Sequence, residues 1–345
     1  MSDAIGCAVL GATGTVGQHF IRLLQDHPML RLCSVVASDR SVGRPYGEAA
    51  VWRLGGDVPG EAAGLVVEDV DGLLARQDVR IVFGAMPGGL AGAVETRLAE
   101  AGFAVFTNAR DHRMDDDVPL LIPEINGDAL EVLRGRTGFI VANGNCSAIV
   151  LTMALAPLER AFGVRHVEVT TMQAISGAGH PGVASLDILD NIVPLIAGEE
   201  EKMATEPQKT LGAVQGGRVV PGDFTVAATC TRVPVSDGHF ESVAVWLRRP
   251  PGDLGEVRRV FEDFRAPADV AGLPSAPQRP IHVLEGDRPQ PRRDRDREGG
   301  MAVSVGRLRL EGDVVRLVCL GHNAVRGAAG QSILNAEYAA ARGLL

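Results

Sequence analysis

Ile5-Gly6-Cys7-Ala8-Val9-Leu10-Gly11-Ala12-Thr13-Gly14-Thr15-Val16-Gly17 is a short apolar strand running into a turn with three glycines spaced three apart. Glycines at such a turn let the backbone approach a pyrophosphate, and the following helix presents unpaired N–H groups to it. A GxxGxxG run alone says little. Here it follows the first strand and opens an amphipathic helix, Val16 to Gln25, which is the context a dinucleotide requires. Gly11, Thr13, Gly14, Thr15 and Val16 are therefore the candidate cofactor cradle.

Outward from that turn the rhythm repeats. Apolar segments at Leu32–Ala37, Ile81–Gly84, Ala104–Thr107 and Phe139–Asn143 alternate with helical stretches such as Leu90–Ala101, the pattern of a parallel sheet covered on both faces. Beyond Ser147 the strands lengthen: Val164–Gln173, Phe224–Val235, Phe240–Leu247, Ala302–Leu310 and Val314–Leu320. With 345 residues, 46% of them hydrophobic, one core would be too large. The expected fold is α/β: a Rossmann-type doubly wound parallel sheet domain (1–146) plus an α+β domain with a largely antiparallel sheet (147–322). The C-terminal helix (323–345) is expected to return to the first domain.

Composition removes several functions. A net charge of −9 and no basic stripe argue against nucleic acid, and 4% aromatics leave no base-stacking surface. No apolar run reaches the roughly 18 residues of a membrane span, and Met1 leads directly into the first strand, so neither a leader nor a membrane anchor is expected. Five cysteines without CxxC spacing suggest reduced thiols and a cytoplasmic protein. Only two of the 34 basic residues are lysines, Lys202 and Lys209. Codon bias accounts for their scarcity but not for their standing seven residues apart in one acidic segment.

Cofactor choice is read after the second strand, at Ser38-Asp39-Arg40-Ser41. The hydroxyls of Ser38 and Ser41 and the guanidinium of Arg40 favour the 2′-phosphate of NADP(H), while Asp39 leaves NAD open. Asn143-Gly144-Asn145-Cys146-Ser147 places a thiol between a buried strand and the helix Ala148–Phe162. A helix N-terminus lowers a thiol pKa, so Cys146 is the candidate nucleophile, and the other four cysteines read as structural. His239, after Asp237-Gly238, is expected at a sheet edge facing a cleft, as its partner base. His19 and His27 read as surface-helix residues, and Arg288–Gly300 as a solvated loop. No His/Cys pair has metal-ligand spacing, so no metal is expected.

These segments resemble the aspartate-β-semialdehyde dehydrogenase family, in its archaeal and fungal-like branch. The resemblance runs through Gly11–Gly17, Asn108–Asn126, Asn143–Ser147, Gln173–Gly182, Glu199–Gly212, Arg232–His239, Asp287–Asp296 and His322–Gly330, in order and over essentially the whole chain. It implies NADPH-dependent reductive dephosphorylation of β-aspartyl phosphate to aspartate semialdehyde, for lysine, threonine and methionine synthesis. By the same resemblance Cys146 forms a thioester, His239 acts as acid/base and Gln173 orients the intermediate. Arg232 forks the α-carboxylate, and Glu199, with Glu200 and Glu201 as rivals, meets the α-ammonium. Arg113, Lys202 and Asn145 hold phosphate, while Ser176, Gly177 and Asn323 line the nicotinamide side. A homodimer or homotetramer is implied. Where the family usually has proline this chain has Gly144, which suggests a less rigid nucleophile loop. Sister acyl-phosphate and acyl-CoA reductases share the thioester chemistry, and a catalytically silent relative would be expected to have lost Cys146 or His239.

Overall fold

The computed structural model describes residues 4–345; Met1, on which the expectation of a leaderless start rests, lies outside them. The first sheet comprises β1 (Ile5–Leu10), β2 (Leu30–Val36), β3 (Val67–Glu68), β4 (Ile81–Gly84), β5 (Ala104–Thr107) and β6 (Phe139–Ala142). Its order is β3-β2-β1-β4-β5-β6, and every pairing is parallel. Strand order reverses beside β1, the place where doubly wound sheets bind ligands. β4, β5 and β6 are buried along their whole length, as parallel strands covered on both faces must be. The edge strand Val67–Glu68 is only two residues long, too short for a pattern to show in the sequence.

Alternate residues of these strands feed two cores. Val9, Phe83, Phe106 and Val141 pack with Phe20 and Ile21 of α1 (Thr15–Leu23) and with Ile333 and Leu334 of the C-terminal helix Gly330–Ala341. Ala8, Val82, Val105 and Ile140 face Leu98 of α2 (Ala91–Glu100). The approach of α1 to β1 depends on glycine: a Cβ at Gly17 would stand 2.3 Å from the Gly11 carbonyl oxygen.

After β6 the chain enters α3 (Cys146–Phe162), then β7 (Val164–Gln173), α4 (Glu199–Thr210), the hairpin β8 (Ala213–Gln215) and β9 (Arg218–Val220), and β10 (Thr225–Arg232). β11 (His239–Leu247), α5 (Leu254–Glu262), β12 (Ile281–Leu284), β13 (Val303–Glu311) and β14 (Val314–Gly321) complete the second sheet, of order β10-β7-β11-β14-β13-β12. The expected antiparallel pairing holds at its centre, but both outer pairs are parallel, so the sheet is mixed. Parallel neighbours need a crossover, and α4 supplies it between β7 and β10. Val169, Val243, Leu317 and Val305 cover one face with α3, which is buried around most of its circumference.

Register then places the chemistry. Gln173 pairs with Arg232 at the ends of β7 and β10, Phe240 pairs with Met172, and His239 pairs with Gly321. One end of the second sheet thus gathers Gln173, Arg232 and His239. His239 opens an interior strand and not an edge strand as expected, because β14 and β7 flank β11 on both sides.

Candidate active site

Cys146 is the first residue of α3, two positions earlier than its apolar run suggests, because Asn145 caps the helix. The Asn145 side-chain oxygen accepts the N–H groups of Ser147 and Ala148 at 3.0 and 3.2 Å. Its amide nitrogen donates to both oxygens of Glu199, at 3.0 and 2.9 Å. Gly144 does not leave this loop loose. Glu206 accepts the Asn145 backbone N–H, and Asn143 donates to Asn108 Oδ1 and to the Ala328 carbonyl.

Cys146 Sγ stands 3.1 Å from His239 Nε2, and His239 Nδ1 accepts the backbone N–H of Ala174 at 3.1 Å. Burial pushes the Cys146 thiol up to about 12, assisted by the charge of Glu199 and opposed by Arg113 and Arg232. In the ligand-free protein the lowering by the Ser147 backbone N–H at the helix terminus is smaller than the raising by burial. Burial first, then the Arg232 charge, takes His239 down to about 3. Both partners are thus neutral at ordinary pH.

Around this pair stand the other expected residues. Gln173 donates to Glu199 Oε2 at 3.2 Å and Arg232 to the Ala174 carbonyl at 2.7 Å. Lys202 pairs with Glu199 at 2.6 Å. Of the three rival acids only Glu199 faces Asn145 and Gln173; Glu200 is exposed and accepts the Cys230 N–H, and Glu201 is exposed. Arg113 is buried, donating to Glu206 at 2.9 Å and to the Asn108 carbonyl at 2.7 Å. Asn323 bridges the Gly238 N–H and Ser176 Oγ, both at 2.8 Å. Gly177 lies so close over the pair that a Cβ would meet His239 Cε1 at 2.9 Å and Arg232 Nη1 at 3.0 Å.

The cofactor cradle lies at the ends of β1 and β2, joined by the N–H groups of Gly11 and Ala12 on the Val36 carbonyl. Gly11 has a φ of +83°, and a Cβ there would fall 2.7 Å from the Ala85 carbonyl oxygen. At the N-terminus of α1, Gly14 provides no side-chain cap and the first turn has no acidic residue, so its N–H groups are left for an anion. Thr13 is held through its carbonyl by Gln18. Ser38, Asp39 and Arg40 are exposed just beyond β2, with Ser41 half-buried. These residues fit a dinucleotide phosphate.

Several neighbours carry no local sequence signal. Gly327 is one: a Cβ there would stand 2.6 Å from Cys146 Cβ. Its segment is tied down by the fully buried pair Arg326–Glu124 at 2.6 Å. Arg288–Gly300 is not merely a solvated loop, since buried Asp294 accepts from Arg288 and Arg297, while Arg295 donates to Ser236 Oγ and the Asp237 carbonyl just ahead of His239. His19, expected on a helix surface, packs edge-on against His322 with ring centroids 6.2 Å apart.

Two family models match the chain: "Semialdehyde dehydrogenase, NAD binding domain" over residues 7–133 and "Semialdehyde dehydrogenase, dimerisation domain" over residues 155–326. With the thiol–imidazole pair they define the class, a two-domain semialdehyde dehydrogenase. The aspartate-semialdehyde dehydrogenase of Methanothermobacter thermautotrophicus is 48% identical over 96% of this chain and 98% of its own. Among solved structures, the Candida albicans aspartate semialdehyde dehydrogenase with NADP has a TM-score of 0.92 at 39% identity, covering 99% of this chain and 100% of that one. Aspartate semialdehyde dehydrogenase II of Vibrio cholerae, complexed with ASA, has a TM-score of 0.79 at 28% identity over 98% and 99%. The chain belongs to the aspartate-semialdehyde dehydrogenase family.

Proposed function

We propose that this protein reduces β-aspartyl phosphate to aspartate semialdehyde with NADPH, releasing phosphate, the step that serves lysine, threonine and methionine synthesis. Residues 1–146 hold the dinucleotide, residues 147–322 hold the substrate and the subunit contact, and residues 323–345 return to the first domain. The observation that carries this reading is the 3.1 Å approach of Cys146 Sγ to His239 Nε2 beside Arg232, Glu199 and Gln173.

In the reductive direction the Cys146 sulfur bonds to the acyl carbon, the carbon–oxygen bond to phosphate breaks, and phosphate carries off the thiol proton as it leaves against Arg113, Lys202 and Asn145. Arg232 forks the α-carboxylate, for which a planar guanidinium is suited. Glu199 takes the α-ammonium. That ammonium offsets the negative charge that helps hold the thiol up, so substrate binding itself favours the thiolate. Bound NADPH would supply the hydride that reduces the thioester; the carbon–sulfur bond to Cys146 then breaks as the aldehyde carbonyl forms, which frees the product and returns the thiolate. His239 donates a hydrogen bond from Nε2 to the oxygen that gains charge, and Gln173 fixes the acyl group. The cradle from Gly11 to Val16 with Ser38, Arg40 and Ser41 holds the dinucleotide, and Ser176, Gly177 and Asn323 border its reactive end. The Candida albicans relative solved with NADP supports that choice.

Among the described residues no helix is long and apolar enough to cross a membrane. The five cysteines are free, which fits a reducing cytoplasm. Leu186, Leu189, Ile192 and Leu195 are exposed on one segment, an apolar surface that a second copy of the chain would cover. Together with the dimerisation-domain match, this supports a homo-oligomer, dimer or tetramer.

The test is phosphate-dependent reduction of NADP by aspartate semialdehyde, with NAD in parallel. Cys146→Ala should abolish turnover and leave NADP binding intact. Turnover that survives the substitution removes Cys146 as nucleophile.

A further inference from the structure

Helix α4 carries two buried charged residues to which the reaction assigns nothing. Glu199, Lys202, Glu206 and Lys209 follow at intervals of three, four and three, which stacks them on one helical face. That face is turned inward: Glu206 is 3% and Lys209 4% exposed. Charged side chains are so deeply buried only when their polar atoms are satisfied.

Their partners converge on one residue. Glu206 Oε1 accepts from Arg113 Nη1 at 2.9 Å, and its Oε2 accepts the backbone N–H of Asn145, immediately before the nucleophile. Lys209 Nζ donates to the carbonyl oxygens of Arg113 and Asp115, both at 2.7 Å. An ammonium bonded to two main-chain carbonyls is a tie across a turn, whereas stability alone would be served as well by apolar packing. Arg113 has Nη1 on Glu206 and Nη2 on the Asn108 carbonyl, while its buried Nε has no partner. The side chain is thus clamped through Nη1 and Nη2, with N–H donors still unused, the buried Nε among them.

We infer that Glu206 and Lys209 are positioning residues: they hold Arg113, and through it the phosphate end of the substrate, in fixed register with Cys146. Glu206 does so on the guanidinium and on the cap of the nucleophile's helix, and Lys209 on the backbone turn that bears Arg113. This rests on the proposed reading in which Arg113 receives phosphate.

The experiment measures kcat and the separate KM values for phosphate, aspartate semialdehyde and NADP in Lys209→Met, Glu206→Gln, Arg113→Met and the double variant Arg113→Met/Lys209→Met, with a thermal melt of each. Lys209→Met and Glu206→Gln should each raise the phosphate KM about tenfold, as expected of a sub-ångström misplacement, with the NADP KM within about twofold. In the Arg113→Met background the Lys209 substitution should add little, because it acts through that arginine. A folded Lys209→Met protein with unchanged phosphate KM overturns the inference, as does a full Lys209 effect without Arg113. Should Lys209→Met fail to fold, the isosteric Glu206→Gln decides the question by the same phosphate KM. If Arg113→Met raises the phosphate KM while the other two do not, only the positioning role falls. If Arg113→Met itself leaves it unchanged, the reading of Arg113 falls and the inference with it.

Discussion

His239 points one ring nitrogen at Cys146 Sγ, 3.1 Å away, and uses the other to accept the Ala174 N–H. An acceptor at Nδ1 places the imidazole proton on Nε2, facing the sulfur. The histidine is therefore set up to donate to the reacting oxygen. His239→Gln, which retains an N–H but neither the imidazole geometry nor the capacity to take up a proton, should lower kcat about 10²–10⁴-fold with NADP affinity unchanged. Steady-state kinetics with a separate NADP titration check this; a kcat near wild type would remove His239 from proton transfer.

The raised thiol has a direct signature. With burial and Glu199 holding Cys146 near 12, the thiolate is a minor species at neutral pH. Its alkylation by iodoacetamide in the ligand-free protein should climb about tenfold per pH unit from 7 to 9. A plateau already reached below pH 8 would mean that the helix terminus wins after all.

Two glycines are expected to be intolerant for a steric reason. A methyl at Gly327 would meet Cys146 Cβ at 2.6 Å, and one at Gly177 would meet His239 Cε1 at 2.9 Å. Gly327→Ala and Gly177→Ala should each cost at least about tenfold in kcat, and Gly327→Ala should also lower the melting temperature because it meets the Cys146 backbone. Full activity in either would show that the pair shifts freely.

Acid sensitivity should have a component at Asp294. Its hydrogen bonds from Arg288, Gln290 and Arg297 outweigh burial and hold the carboxyl at about 2, against an ordinary value of 3.8. A lowered carboxyl pKa stabilises the folded state fully above the ordinary value, and the contribution is lost as pH falls towards 2. Asp294→Asn should therefore destabilise by about 2 kcal/mol at pH 7, with the gap to wild type narrowing by pH 3. Urea unfolding at both values tests it; an equal gap at both would exclude titration of Asp294 as the cause.

The strands were legible wherever an apolar run met a clear turn. Ile81–Gly84 and Ala104–Thr107 stand where their composition puts them, and Cys146 was visible as a thiol between strand and helix. His239 was visible as a candidate base after a glycine turn, whereas Arg232 needed the family resemblance, because only the register of β7, β10 and β11 brings the two beside Gln173. The neutral state of the thiol could not be read locally. The groups around it come from segments far away in the chain, at Gln173–Gly177, Glu199 and Gly327. Glu206 looks like an ordinary residue of a polar helix, and Lys209 stood out only as one of two lysines, with no role legible; their spacing from Glu199 alone hints at a shared face. Asp294 was lost in a segment whose charges nearly cancel, a composition that describes a buried ion-pair cluster as well as it describes solvent exposure.

The charged face of α4 also sets a rule for how this segment can change. Each residue of an α-helix turns the chain by about 100°, so one residue inserted between Glu199 and Glu206 would swing one of them off the site. The outer face of the helix, with exposed Glu201 and Thr205, should accept many substitutions. The helix can vary in composition but not in length: a deletion of one residue there would do more harm than the replacement of several exposed ones.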